Sequence, residues 1–159
     1  MACSWGVSIS PTAILRRAPV STTSFDGSID SYSMRPALAR RLPAILAGDY
    51  NVIPSDLDVY APERWRDDAL FRPEVRAAYR RLIDQGWIDA VRELHPGERI
   101  YTFWKYFRNA LARDAGLRID HLLLSPDLGT RLVATGVDRG FRAREKASDH
   151  APVWIELAN

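Results

Sequence analysis

The chain has 159 residues, 47% hydrophobic and 26% charged, with a formal net charge of +2. That length and balance support one domain with a real core, exclude wholesale disorder, and neither demand nor exclude a nucleic-acid partner. Its single cysteine, Cys3, excludes an intrachain disulfide framework or a cysteine-based zinc site and fits a reducing compartment, and no apolar run is long enough to span a bilayer.

In chain order, Met1 to Met34 shows no sustained period and is broken by Gly6, Pro11, Pro19 and Gly27, so it reads as irregular. Its first 24 residues hold no acid, two arginines (Arg16, Arg17) and many serines and threonines. That composition weakly resembles a transit peptide, but an unstructured N-terminus is the preferred reading. Pro36 to Arg41 suits a short helix with proline in its first turn.

From Leu42 the character changes. Pro43 to Gly48 reads as a short buried strand, and Asn51 to Pro62 as a loop. Pro73 to Gln85 carries Val75, Ala78, Tyr79, Leu82 and Ile83 at helical spacing, with Pro73 opening the helix and Gly86 capping it. Trp87 to Leu94 is expected to be a second short helix, His95 to Glu98 a turn, and Tyr101 to Trp104 an aromatic strand. Asn109 to Gly116 reads as a loop with a helical turn, and Arg118 to Ser125 as a strongly apolar strand. Pro126 to Leu132 suits a short helix, Thr135 to Asp138 a strand, Glu145 to His150 a polar loop, and Pro152 to Leu157 the last strand. Strands alternating with helices point to an α/β domain, divided into an irregular segment 1–41 and a folded unit 42–159. Residues 60 to 118 carry 12 Lys or Arg against 9 Asp or Glu, which fits a solvated helical surface.

Four places carry chemistry. Asp49 and Asn51 lie two apart at a strand end, where alternation points both side chains to one side. Asp can bind a metal or accept a proton from water, and Asn can steady a phosphoryl oxygen. The plain alternative is a polar turn. Asp120 stands inside an apolar run, and a buried carboxylate needs a partner. His121, His150 and Arg118 are the candidates, with a solvent-reaching strand end as the alternative. Asp149 suits a hard cation such as Mg²⁺ or Mn²⁺, and the adjacent His150 suits a phosphate oxygen or acid-base work. Phe103, Trp104, Tyr106 and Phe107 with Lys105 and Arg108 form an aromatic-basic cluster that can wedge against bases while cations hold phosphates. About half of those aromatics are expected in the core. His95 and His121 read as structural. A P-loop, a dinucleotide glycine fingerprint and a nucleophile-elbow serine are all missing from the sequence.

Four ordered stretches then form a pattern: Gly48-Asp49-Tyr50-Asn51-Val52, Tyr101-Thr102-Phe103-Trp104, Gly116-Leu117-Arg118-Ile119-Asp120 and Lys146-Ala147-Ser148-Asp149-His150-Ala151-Pro152-Val153. From about Leu42 to Leu157 the chain resembles the C-terminal part of exonuclease III-type enzymes of the endonuclease/exonuclease/phosphatase superfamily. The resemblance implies the second half of a four-layer α/β sandwich. It implies a phosphodiesterase dependent on Mg²⁺ (or Mn²⁺) that acts on damaged or abasic double-stranded DNA, with exonuclease, 3′-phosphatase and abasic-site endonuclease activities. It implies a cytoplasmic, nucleoid-associated monomer with no membrane. Carried over, Asp49 activates the water, Asn51 steadies the transition state, Asp120 orients the histidine, and His150 contacts the scissile phosphate. The implied metal set is Asp49, Asn51, Asp149 and His150, and the implied DNA-contact set is Phe103, Trp104, Phe107 and Arg108. Phe103 and Phe107 fall where the family lines its pocket for an extruded sugar.

Two departures accompany the resemblance. The family's first half supplies an Asn, a metal-binding Glu and a Tyr that find no match in residues 1 to 43, so the chain reads as a truncated or rearranged product with reduced or absent activity. Lys105 stands where related sequences often carry an acid. Two other readings stay open: a non-catalytic remnant that binds DNA weakly or does not fold alone, and a related phosphoesterase with a non-DNA substrate such as an inositol phosphate or a nucleotide.

Overall fold

The run of leucines at 122 to 124 organises the structure, a computed structural model that describes residues 43–159. The irregular segment 1–41, the transit-like composition and the short helix at 36–41 lie outside the described residues. Leu122, Leu123 and Leu124 are each fully buried. Side chains alternate across a strand, so a run buried throughout needs cover on both faces. The strand that carries them, β3 (Asp120–Leu124), supplies the middle of a three-stranded antiparallel sheet with β1 (Ile45–Asp49) and β2 (Ile88–Asp89), in the order β1-β3-β2.

The alternation sorts the two faces. Leu123 packs with Tyr50, Val52, Tyr79, Leu82 and Trp87 on one side. Leu122 and Leu124 pack with Ala90, Val91, Leu128, Val153 and Ile155 on the other. The first face is covered by α1 (Pro73–Asp84), with Pro73 in its first turn. Gly86 follows that helix at φ 102 and donates its N–H to Ile83, a left-handed exit that glycine adopts without strain. The second face is covered by an antiparallel pair, β4 (Leu132–Val137) with β5 (Val153–Leu157), which bulges between Leu132 and Ala134. Burying each leucine of β3 contributes about 2 kcal/mol.

Two expected elements take a different form. Trp87 to Leu94 is not one helix. Ile88 and Asp89 pair with Leu124 and Leu123, and the Asp89 carboxylate accepts the Arg92 N–H at 3.2 Å. That cap starts the helix, α2 (Ala90–Leu94), only after Asp89. Tyr101 to Trp104 is not a ladder strand. Its hydrogen bonds scatter between Leu117, Asp149 and Ala151, leaving isolated bridges. The helix after β3 is shorter than expected, α3 (Pro126–Gly129), and an unexpected turn of helix follows β4, α4 (Arg139–Arg142). Between β1 and α1, three 3-10 turns at Asp56–Asp58, Pro62–Arg64 and Ala69–Phe71 fold Ile53, Val59, Trp65 and Phe71 onto Leu117 and Ile119.

Candidate active site

The site forms where β1 and β3 end together. Their register sets Asp49 directly opposite Asp120. Beyond Asp49 the expected alternation fails. Asn51 sits at φ 49, a left-handed conformation that Asn tolerates, and its N–H donates to Asp49 Oδ1 at 2.9 Å. Asp49 and Asn51 are therefore neighbours through an Asx turn rather than same-side residues of a strand.

Asp120 finds its partner in His150. Nδ1 lies 2.9 Å from Oδ2 and 3.1 Å from Oδ1. A carboxylate accepts, so Nδ1 carries the proton and Nε2 is the nitrogen left for a ligand. The Phe103 ring meets the imidazole edge-on, with centroids 4.9 Å apart, and the His150 N–H donates to Ser148 Oγ at 3.1 Å. Of the other two candidates, Arg118 pairs with Asp58 and Asp89, and His121 bonds to the Val52 carbonyl.

The electrostatics follow from this crowding. Burial pushes the His150 imidazole toward neutrality, but the Asp120 hydrogen bond and the charges of Asp120, Asp49 and Asp149 outweigh it and hold its pKa above the ordinary value. Burial raises the Asp49 carboxyl, the Asn51 N–H opposes this, and the nearby Asp120 charge adds to it. Asp149 is half-buried next to His150, and its carbonyl accepts the Trp104 N–H at 2.9 Å. Among the described residues, no three His, Cys, Asp or Glu side chains form a group able to hold a metal by themselves. The oxygens of Asp49, Asn51 and Asp149 are nonetheless the donor type that Mg²⁺ takes. That ion keeps several waters and needs only one or two protein carboxylates beside substrate phosphates.

An open cleft of about 630 Å³ adjoins Phe103. Tyr60, Trp65, Phe103 and Phe107 give it aromatic walls, Lys105, Arg108 and Arg113 give it positive charge, and no acid lines it among the described residues. Phe107 is 77% exposed, and Arg108 stands in the left-handed region at φ 57. Trp104 does not belong to this surface. It is buried, packs on Tyr101, Ala110 and Ala151, and donates its indole N–H to Asp114 at 3.2 Å. Its aromatic faces are core, so it offers nothing to stack on. Sequence reasoning missed Tyr60 and Trp65. Their one signal is a pair of aromatics in a proline-flanked loop. Lys105 Nζ stands 4.9 Å over the Trp65 ring.

Sequence reasoning also missed a buried polar network behind the site. Arg118 donates from Nε to Asp58 at 2.6 Å and from Nη1 to Asp89 at 2.8 Å. Arg92 reaches the same Asp58 oxygen at 2.6 Å, and the Tyr79 hydroxyl donates to Asp89 at 2.8 Å. Burial works to raise the Asp58 carboxyl, but the Arg118 charge wins and holds it at about 2. Burial and the Arg118 charge drive His121 down to about 4, so it is neutral. The signal available in the sequence was an arginine inside an apolar strand.

The sequence and the fold have counterparts among known proteins. The sequence matches the Endonuclease/Exonuclease/phosphatase family over residues 8–150. It is 40% identical over 122 residues to exodeoxyribonuclease III of Haemophilus influenzae, covering 72% of this chain and 46% of that protein. Among solved structures, an AP endonuclease from Archaeoglobus fulgidus superposes with a TM-score of 0.76 at 35% identity, covering 79% of this chain and 49% of the other. The 3′ phosphatase NExo from Neisseria, bound to a product DNA hairpin, superposes with a TM-score of 0.75 at 37% identity, covering 77% and 48%. The chain thus spans about half the length of the relatives it matches. With the family match running through the Asp49, Asp120 and His150 positions, the chain belongs to the Endonuclease/Exonuclease/phosphatase family.

Proposed function

We propose that this chain carries one half of the active site of a divalent-metal-dependent DNA phosphodiesterase that cuts damaged or abasic duplex DNA. The observation that carries the reading is the convergence of the Asp120–His150 pair with Asp49 at one sheet end. His150, whose charged form Asp120 favours, presents its Nε2 to a phosphate oxygen. Asp49, whose carboxyl is raised by burial, takes the proton of an attacking water. The Asn51 amide steadies the phosphoryl group as charge builds. Asp149, close enough for its charge to raise the Asp49 carboxyl, offers oxygen donors to Mg²⁺ or Mn²⁺. The ion would neutralise phosphate charge and lower the pKa of a water.

The basic cleft with its aromatic walls suits a sugar or base turned out of the duplex, with Lys105, Arg108 and Arg113 on flanking phosphates. Tyr60, Lys105, Phe107, Arg108 and Arg113 are the exposed members of that surface. The names of the relatives, an exodeoxyribonuclease, an AP endonuclease and a 3′ phosphatase, favour a DNA substrate over an inositol phosphate or a free nucleotide. The reading includes a monomer acting in the cytoplasm. No helix among the described residues is long and apolar enough to cross a membrane.

A second reading, DNA binding without cleavage, is favoured by one observation: the described residues do not close a metal-holding group. The test is a substrate panel of an abasic-site duplex, a 3′-recessed duplex, a 3′-phosphorylated duplex and an inositol phosphate, each with Mg²⁺ and with EDTA. The first reading expects Mg²⁺-dependent cutting of at least one duplex and none of the inositol phosphate. DNA retention without any cutting by folded protein supports the second.

A further inference from the structure

The turn that carries Asp49 and Asn51 has to hold a left-handed residue in place, and His121 stands directly beneath it. His121 follows Asp120 on β3, so its side chain points to the opposite face, where it is 1% exposed. Its Nε2 lies 3.1 Å from the Val52 carbonyl oxygen. A carbonyl only accepts, so Nε2 carries the proton and Nδ1 is bare. Nδ1 then accepts from Arg118 Nη1 at 3.1 Å, with the Tyr79 hydroxyl 3.4 Å away. The Tyr50 ring meets the imidazole edge-on at 5.5 Å, and the Tyr79 ring lies against it at 4.7 Å. His121 therefore grips the residue between Asp49 and Asn51 by its ring and the residue after Asn51 by its carbonyl.

We propose that His121 is a positioning residue: through the Val52 carbonyl and the Tyr50 ring it fixes the turn that aims Asp49 and Asn51 at the phosphate. Its effect on turnover rests on the phosphodiesterase reading above, whereas its effect on the turn does not. An apolar side chain would fill the space but leave the Val52 carbonyl buried without a donor, and the turn would relax toward one. A shift of about 1 Å in a reacting group costs on the order of 10²-fold in rate.

Three variants of the full chain separate positioning from mere packing. In His121→Gln the amide nitrogen reaches the place of Nε2 and restores the bond to Val52. In His121→Asn it reaches only the place of Nδ1, and His121→Leu offers no donor. On an abasic-site duplex with Mg²⁺, the Leu and Asn variants are expected to lose about 10- to 100-fold in kcat, with KM changed by less than about twofold, and Gln to recover most of the loss. In the same proteins, hydrogen exchange of the Tyr50, Asn51 and Ile53 amides is expected to accelerate about tenfold in Leu and Asn but not in Gln. Equal behaviour of Gln and Asn in both assays overturns the proposal, as does a folded Leu variant with wild-type kcat and exchange. If Leu does not melt cooperatively, the Gln and Asn pair decides alone. If wild type cuts no substrate, the phosphodiesterase reading fails, and the exchange pattern still decides the role of His121.

Discussion

Replacing Arg118 with Met tests how the site is held from behind. The methionine keeps much of the aliphatic volume and removes the charge that two buried carboxylates share. Asp58 is fully buried and loses a 2.6 Å contact, and Asp89 is 9% exposed and loses one of 2.8 Å. Neither is stripped bare. Asp58 keeps Arg92 at 2.6 Å and the Ser55 hydroxyl at 2.6 Å, and Asp89 keeps the Tyr79 hydroxyl at 2.8 Å. Breaking a buried ion pair from one side costs about 3–5 kcal/mol. A separate route gives a compatible figure. Burial pushes the Asp58 carboxyl up, yet Arg118 first, with Ser55 and Arg92, brings it to about 2 from 3.8. That gap corresponds to roughly 2 kcal/mol for one of the two carboxylates. Urea melting at pH 7 is therefore expected to show a loss of about 3–5 kcal/mol with an unchanged slope. The acid limb carries a second signature. Because the folded pKa of Asp58 lies below the unfolded one, its stabilisation is present above pH 3.8 and disappears as pH falls through about 2. Without Arg118 that loss moves to higher pH. A drop under about 1 kcal/mol, or an acid limb that does not move, refutes the claim that Arg118 is the keystone of this network.

Three further outcomes follow from the same geometry. Asp120→Asn keeps the shape of the His150 partner but removes its charge. The His150 titration midpoint, read by NMR, is expected to fall and kcat on an abasic-site duplex to drop at least about 10²-fold, whereas an unmoved midpoint contradicts the pairing. Burial and the Arg118 charge hold the folded pKa of His121 at about 4, below its ordinary 6.5, so stability present above 6.5 is lost as pH falls toward 4. That loss amounts to about 3 kcal/mol, and a flat urea midpoint from pH 7 to 4 contradicts it. Phe107→Ala is expected to leave stability within about 0.5 kcal/mol, because the ring is 77% exposed, and to weaken binding of abasic-site DNA by about 1–3 kcal/mol.

Local signals carried most of the framework. Pro73 and Gly86 bracket α1, the leucine run marks β3, and β1 and β5 fall within two residues of their expected bounds. What escaped depends on distant partners. Tyr101 to Trp104 looks like a strand, but its hydrogen bonds go to Leu117, Asp149 and Ala151, so no single ladder forms. Asp58 reads as a loop acid and Asp89 as a residue inside a short helix, and only Arg118, 60 residues beyond Asp58, makes them part of the interior. The site residues themselves stood out because an acid inside an apolar strand demands a partner. The choice among the three candidates was not legible there: alternation sends His121 to the far face, but Arg118 is withdrawn only by Asp58 and Asp89, which leaves His150 for Asp120. The Asx turn at Asn51 was not readable as a break in alternation, since Asn is as much at home in a strand-end loop as in a left-handed turn.

The most direct measurement is single-turnover cleavage of an abasic-site duplex in Mg²⁺ by the wild-type chain, Asp49→Ala and His150→Ala, each first shown to melt cooperatively. The account predicts cutting by wild type and a loss of at least about 10²-fold in each variant. Folded wild-type protein that leaves the duplex intact, or an Asp49→Ala variant that cuts at the wild-type rate, contradicts it.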